Sequence, residues 1–155
     1  MPNPKTSYKF IFEVIAVISI FFSIIWSIQV QKHQDIWQKK VETLHSLEGR
    51  DRSHLKYINA RIDTISNSDS LIATILADSI LKRHISAQLI IYEDLSIGNN
   101  IGIYDSEVIK RFMGTTFIKF NEKITPYILY LRKKKDNPNI YIEYDLCVKS
   151  LTENK

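Results

Sequence analysis

The first feature of the chain is a long apolar run over residues 10–30, FIFEVIAVISIFFSIIWSIQV, which contains a single charge at Glu13. A helix of about 20 mostly apolar residues is long enough to cross roughly 30 Å of hydrocarbon. The run therefore predicts a transmembrane helix, preceded by a short polar tail over residues 1–9. A cleaved signal peptide is the competing interpretation. The run is longer than a typical signal core, and no small-x-small cleavage motif follows Val30, so we expect an uncleaved anchor.

Apolar residues continue at helical spacing after the anchor, at Trp37, Val41, Leu44 and Leu47, and no Gly or Pro interrupts them. This pattern predicts that the helix extends as a stalk over residues 31–50. Residues 49–53 are polar and include Gly49, which predicts a break before a helical domain over residues 51–155.

The pattern of that domain predicts about five helices. The first has an apolar stripe ending at Ile65, and Asn67 and its neighbours form a turn that caps the next. A long helix is expected over residues 71–97, ended by Gly98. Further helices are expected from an Asp105 cap to about residue 114, from Thr115 or Thr116 onward, and after a turn at residues 137–139.

No segment alternates with period two over enough residues to require a strand. The predicted fold class is all-α, with one N-terminal transmembrane helix that continues into a stalk and then a compact helical domain.

Composition adds a formal net charge of +4 and a single cysteine, Cys147. One cysteine excludes an intramolecular disulfide framework and a cysteine zinc site. The charge excess is too dispersed to argue for nucleic acid, but it suits an anionic lipid surface. Its densest run is Arg132, Lys133, Lys134 and Lys135, which is either a solvated helix end or a contact for lipid headgroups. Lysines flank both ends of the anchor almost evenly. The lysine run and the free cysteine favour a cytoplasmic C-terminal domain on the cell inner membrane.

Three sequence segments resemble a bacterial family catalogued as domain of unknown function 4760. They are LIIYE at residues 89–93 leading to residues 95–98, GIYD at residues 102–105 followed by Glu107, and Pro126-Tyr127 followed by the basic run and residues 137–144. The resemblance implies a small protein with one N-terminal membrane helix and a helical domain, and it implies no activity. The family tends to have an asparagine before the Tyr-Glu pair, where this chain has Ile90 and Ile91.

The sequence contains no recognisable catalytic constellation. There is no Gly-x-Ser-x-Gly elbow, and the loop from Gly98 to Gly102 lacks the strand and the lysine of a phosphate-binding loop. The four histidines form no His-x-x-x-His pair, and we expect them to be solvated or packed. We therefore expect no cofactor, no metal and no enzymatic activity.

Two sets of residues are candidates for binding. Tyr92, Glu93, Tyr104, Asp105 and Tyr144 lie in the segments that resemble the family. They form either hydrogen bonds that hold helices together or a small-ligand pocket. In the anchor, Glu13, Ala16, Ser23 and Ser27 lie on one face, with Ser19 beside it. Small residues at this spacing allow two membrane helices to approach closely, although serine can also be merely tolerated there.

These features lead to one preferred hypothesis and two alternatives. The preferred hypothesis is a non-enzymatic interaction or scaffolding module at the membrane surface. It would bind membrane lipids and either a protein partner or a second copy of itself, but not nucleic acid. The first alternative is a membrane-acting effector, such as a toxin-like, phage-defence or phage-exclusion protein. The second is an enzyme or nucleotide sensor that uses the tyrosine-carboxylate cluster.

Overall fold

The structure is a computed structural model that describes residues 4–48 and 53–153, with side chains from Phe12 onward within those ranges. The described residues form six helices and no strand, which confirms the all-α prediction. The helices are α1 (Pro4–Glu48), α2 (Ser53–Ile62), α3 (Ser68–Ala77), α4 (Ser79–Asn100), α5 (Ser106–Lys135) and α6 (Ile142–Glu153). The chain divides into two compact units, Met1–Lys39 and Lys40–Lys155.

The first unit contains the greater part of α1, which is long and apolar enough to cross a membrane. None of the residues in its most apolar window is buried. The described part of the helix begins at Pro4, a residue that the first turn of a helix tolerates. It runs without interruption to Glu48, as the sequence predicted for the anchor and stalk. The break was predicted at residues 49–53. Residues 49–52 lie outside the described residues, and Ser53 begins α2.

The second unit buries one hydrophobic core formed by α2 to α6 and the last turns of α1. Leu47 on α1 is buried, and so are Ile58 and Ile62 on α2. At the centre, the rings of Tyr92, Phe117, Phe120 and Tyr144 pack against one another. Ring pairs at centroid separations of about 4.5–7 Å add to the free energy gained from burial, so α4, α5 and α6 meet where packing is strongest.

The prediction of one helix over residues 71–97 is wrong, because the helix is interrupted at Asp78. The backbone of Asp78 is extended (φ −107°, ψ 101°), so this residue ends α3 and begins α4. Its Oδ1 accepts hydrogen bonds from the amides of Ile80 and Leu81, both at 2.9 Å. Aspartate is a favourable N-cap and needs no glycine or proline to start a helix.

The predicted helix ends at Gly98 and Gly114 are also wrong. Helix α4 continues to Asn100, and the positive φ (78°) that follows it belongs to Gly102. Helix α5 runs through Gly114, where both Met113 and Phe117 are buried. A glycine inside a helix costs about 1 kcal/mol relative to alanine, which the burial of two large side chains readily exceeds.

Candidate interaction surface

The predicted polar cluster separates into two groups that serve different helix junctions. In the first group, the Tyr92 and Tyr144 rings lie 5.3 Å apart, and the Tyr144 hydroxyl donates a 2.6 Å hydrogen bond to the carbonyl of Phe117. Glu93 accepts hydrogen bonds from the amides of Tyr144 at 2.8 Å and Glu143 at 3.3 Å. These are amides of the first turn of α6, which have no partner within their own helix, so Glu93 fixes α6 to α4.

The acid-base properties of this group suit a structural role. Burial raises the pKa of Glu93 above its ordinary value, with smaller contributions from the Glu143 and Asp145 carboxylates, although the two amide donors act in the opposite direction. Burial also raises the pKa of Tyr144, so its hydroxyl stays protonated at neutral pH. The hydroxyl is already committed to a backbone carbonyl, so it has no free proton to offer a substrate.

The second group holds the loop between α4 and α5 against the last turns of α1. The Asp105 amide donates to the Thr43 hydroxyl at 2.8 Å, and the Ser46 hydroxyl donates to the Tyr104 hydroxyl at 3.0 Å. The Asp105 carboxylate accepts from the Val108 amide at 3.0 Å, which confirms the predicted N-cap of α5. The five residues of the predicted cluster therefore do not form one pocket.

Gly98 is needed where Tyr104 crosses α4. A methyl group added at Gly98 would overlap the Cε2 and Cδ2 atoms of the Tyr104 ring, which its hydrogen bond to Ser46 helps to hold in place. We expect Gly98→Ala to lower the free energy of unfolding by about 1–3 kcal/mol, as overpacking does elsewhere. Thermal unfolding of the full chain in detergent micelles, followed by circular dichroism, measures the loss.

Gly114→Ala is the matched control. A methyl group there meets only the Cγ of Lys110 at 3.7 Å, an ordinary contact. Alanine is favoured over glycine inside a helix by about 0.5–1 kcal/mol, so this variant should be as stable as the wild type or more stable. Equal effects of the two substitutions would show that Tyr104 does not restrict position 98.

Cys147 is buried, and its thiol lies 3.5 Å from Nδ2 of Asn99. Burial raises the pKa of this thiol, against the smaller opposing effect of hydrogen bonds with Ser96 and Asn99. A neutral, enclosed thiol is a poor nucleophile and a poor metal ligand. Among the described residues, no group of three or more His, Cys, Asp or Glu side chains is arranged to hold a metal ion.

The basic run contains two kinds of residue. Arg132 is half-buried, donates to the carbonyl of Ile140 at 2.9 Å and pairs with Asp145 at 2.7 Å. Arg132 therefore connects α5 to the start of α6. Its guanidinium pairs within the protein, and not with lipid headgroups as predicted. Lys133, Lys134 and Lys135 are exposed, so headgroup contact remains a prediction for these three.

The proposed association face of the anchor is exposed along its length. Glu13, Ala16, Ser23 and Ser27 are all accessible. The Ser23 hydroxyl donates to the Ser19 carbonyl at 2.8 Å, a bond within the helix that satisfies the hydroxyl in an apolar medium. Association through this face remains a prediction.

A cleft of about 500 Å³ separates α2 from α5. Its base is apolar and its rim carries charges of both signs. The Lys123 ammonium at this rim donates hydrogen bonds to the carbonyls of Asp63 at 3.2 Å and Ile65 at 2.6 Å. The residues lining the cleft are Leu55, Asn59, Ile62, Asp63, Thr115, Thr116, Lys119, Phe120 and Lys123.

The feature that the sequence analysis missed is a row of exposed isoleucines along α4, which we term the isoleucine stripe. It consists of Ile90, Ile97 and Ile101, which are 54%, 40% and 65% exposed. Ile90 and Ile97 are two turns apart on one face of α4. Ile101 is the C-cap residue that follows Asn100, and its amide donates a 3.0 Å hydrogen bond to the carbonyl of Ile97, so the row continues to it by one more turn. The helical positions opposite the core residues Leu81, Ile85, Leu89 and Tyr92 could have revealed the stripe.

Comparison with known proteins identifies the family but no activity. A family model described as "Domain of unknown function (DUF4760)" matches residues 11–151, which is most of the chain. No curated protein and no solved structure matches the chain. The match extends from the apolar helix α1 into the last helix, α6, and includes the isoleucine stripe. The chain therefore belongs to the DUF4760 family of unknown function.

Proposed function

We propose that this protein is a single-pass membrane protein of the cell inner membrane, and that its helical domain is a non-enzymatic module that binds another protein at the membrane surface. The observation that carries the proposal is the isoleucine stripe. Three large aliphatic side chains on one face of a well-packed helix are costly to leave in water, and they are a common mark of a binding surface.

The membrane part of the proposal is supported by the burial pattern of α1. A core helix of a soluble protein would bury its apolar residues, yet none in the most apolar window of α1 is buried. A cleaved signal peptide would end in a small-x-small motif, which does not follow Val30. The exposed lysines at positions 133–135 would suit the anionic lipids of the cytoplasmic leaflet, which supports a cytoplasmic domain.

The binding part of the proposal follows from area and geometry. Covering one exposed isoleucine gains up to about 1.5–3 kcal/mol, so a partner that covers the stripe gains several kcal/mol before the costs of association. A partner helix with apolar residues at matching two-turn spacing would fit a straight row of this kind. The tyrosines and carboxylates described above form hydrogen bonds that hold helices together.

The test is site-specific photo-crosslinking in native membranes. A photo-reactive amino acid at Ile97 should give a covalent adduct with a protein, and an adduct of twice the monomer mass would identify a second copy of this chain. The same amino acid at Glu122, an exposed polar position on α5, is the matched control and should give little adduct. Recovery of monomer alone from the Ile97 position, or equal adducts from both positions, would overturn the proposal.

A further inference from the structure

Two histidines that are distant in the sequence meet at the junction of α2 and α4. His54 lies on α2 and His84 on α4, 30 residues apart, and their Nδ1 atoms are 2.7 Å from each other. Both side chains are half-buried. Nothing in the spacing of the two residues predicts this contact, which is why the sequence analysis treated the histidines as isolated.

Aromatic and charged groups surround the pair on both helices. The Tyr57 ring stacks on His84 with centroids 4.3 Å apart, and the Arg61 guanidinium lies 5.1 Å from the centre of the Tyr57 ring. Arg61 in turn pairs with Asp78, at the start of α4, at 3.1 Å. Within the described ranges, no carboxylate forms an ion pair with either imidazole.

The other charged residues close to the pair in the sequence carry both signs. Asp51 and Arg52, just before His54, lie outside the described residues. Lys56 is exposed on α2, and Lys82 and Arg83 are exposed on α4.

The Nδ1 contact itself depends on protonation. A hydrogen bond between two ring nitrogens needs one N–H donor and one lone-pair acceptor. The contact is possible when both imidazoles are neutral, or when one of them is cationic. When both are cationic, each Nδ1 carries a proton, neither can accept, and two positive charges meet at hydrogen-bond distance.

We propose that His54 and His84 form a proton-operated latch that holds α2 on α4 at neutral pH and releases it in acid. Histidine is the side chain whose ordinary charge change falls between about pH 5 and 8, and this range sets the two pH values of the test below. Release would expose the apolar side of α2, where Ile58 and Ile62 are buried. The latch does not depend on the proposed binding function.

The sign of the effect follows from proton linkage. Relative to two neutral imidazoles, the open state can bind two further protons, one on each ring. The latched state can bind only one further proton, because one Nδ1 must remain an acceptor. The open state is therefore favoured as pH falls, by up to about tenfold per pH unit below the second protonation. The tenfold limit applies if opening of α2 separates the two imidazoles completely. The effect is smaller if they stay close enough to repel each other in the open state.

Hydrogen exchange on the full chain in detergent micelles tests the latch. Amide protection in α2 is compared at about pH 7.5 and about pH 5.5, after correction for intrinsic exchange chemistry. We expect protection in α2 to fall by about tenfold or more at the lower pH, and protection in α6 to change far less. Unchanged protection of α2 in the wild type would overturn the proposal by itself.

Variants separate the latch from general acid sensitivity. Gln can donate and accept a hydrogen bond but does not titrate, so His84→Gln should remove the pH dependence of α2 protection. The same substitution at the exposed His45 should leave it unchanged. His54→Gln removes the other half of the pair and serves if His84→Gln does not fold. A wild-type pH response that persists in the folded pair variant would also overturn the proposal.

Discussion

Two arginines at the centre of the apolar run in α1, Ile20→Arg with Phe21→Arg, are expected to abolish stable insertion of the chain into a membrane. Residues 20 and 21 lie in the middle of the apolar run over residues 10–30, where a charged side chain is furthest from either interface. Each arginine at the centre of a membrane helix costs about 2.5–3.5 kcal/mol on insertion scales, so the pair costs roughly 5–7 kcal/mol. We expect this cost to exceed the net free energy of insertion that favours a single apolar helix with one internal charge.

Extraction of membranes with alkaline carbonate measures the effect, because it removes peripheral proteins and leaves integral ones behind. The wild type should stay with the membrane pellet, and the double variant should appear in the supernatant or as aggregate. Ile36→Arg with Trp37→Arg is the matched control, since both residues are exposed on the same helix outside the predicted span. Carbonate-resistant insertion of the Ile20 and Phe21 double variant would contradict the interpretation of α1 as an anchor.

Local sequence signals predicted the elements whose causes are local. The apolar run and the absence of Gly and Pro predicted α1 as far as Glu48. Asn67 accepts hydrogen bonds from the amides of Asp69 and Ser70, and Asp105 caps α5, so both predicted N-caps are confirmed. In each case the stabilising group lies within a few residues of the element that it begins, which is why the sequence is sufficient.

The errors arose where contacts distant in the sequence compete with local preference. Gly98 looked like a helix end, but its lack of a side chain serves close contact with Tyr104. Gly114 looked like a second end, but burial of the residues around it keeps α5 intact. Gly98 shows that a glycine can mark the close approach of another side chain and not a left-handed turn, and only the tertiary structure distinguishes the two.

The candidate sites were less predictable than the fold for the same reason. The sequence analysis treated five residues as one cluster. In the structure Tyr92, Glu93 and Tyr144 lie at the junction of α4 and α6, whereas Tyr104 and Asp105 contact α1. The isoleucine stripe could have been found from the helical periodicity of α4, because exposure on one helix is a local property. The contact between His54 and His84 could not have been found, because it depends on how α2 docks on α4.

Phe117→Ala is expected to cause the largest loss of stability in the second unit. Phe117 is fully buried on α5, and its ring lies 4.3 Å from the Tyr92 ring and 5.1 Å from the Tyr144 ring between centroids. Replacing a buried phenylalanine with alanine costs about 3–5 kcal/mol, because the surrounding structure fills the resulting cavity only in part. The neighbouring Tyr144 ring is held in place, because its hydroxyl donates a hydrogen bond to the backbone carbonyl of Phe117. We therefore expect it to move little into the cavity.

Phe112→Ala is the control, because Phe112 lies on the same helix but is 40% exposed. Truncating a side chain that is partly in water should cost about 1 kcal/mol or less, since much less burial is lost. Thermal unfolding in detergent micelles should show a Tm lower by roughly 10–20 °C for Phe117→Ala, taking about 4 °C per kcal/mol for a unit of this size. Equal melting of the two variants would mean that the aromatic cluster does not hold α4, α5 and α6 together. In that case the isoleucine stripe would lose the rigid support on which our binding proposal relies.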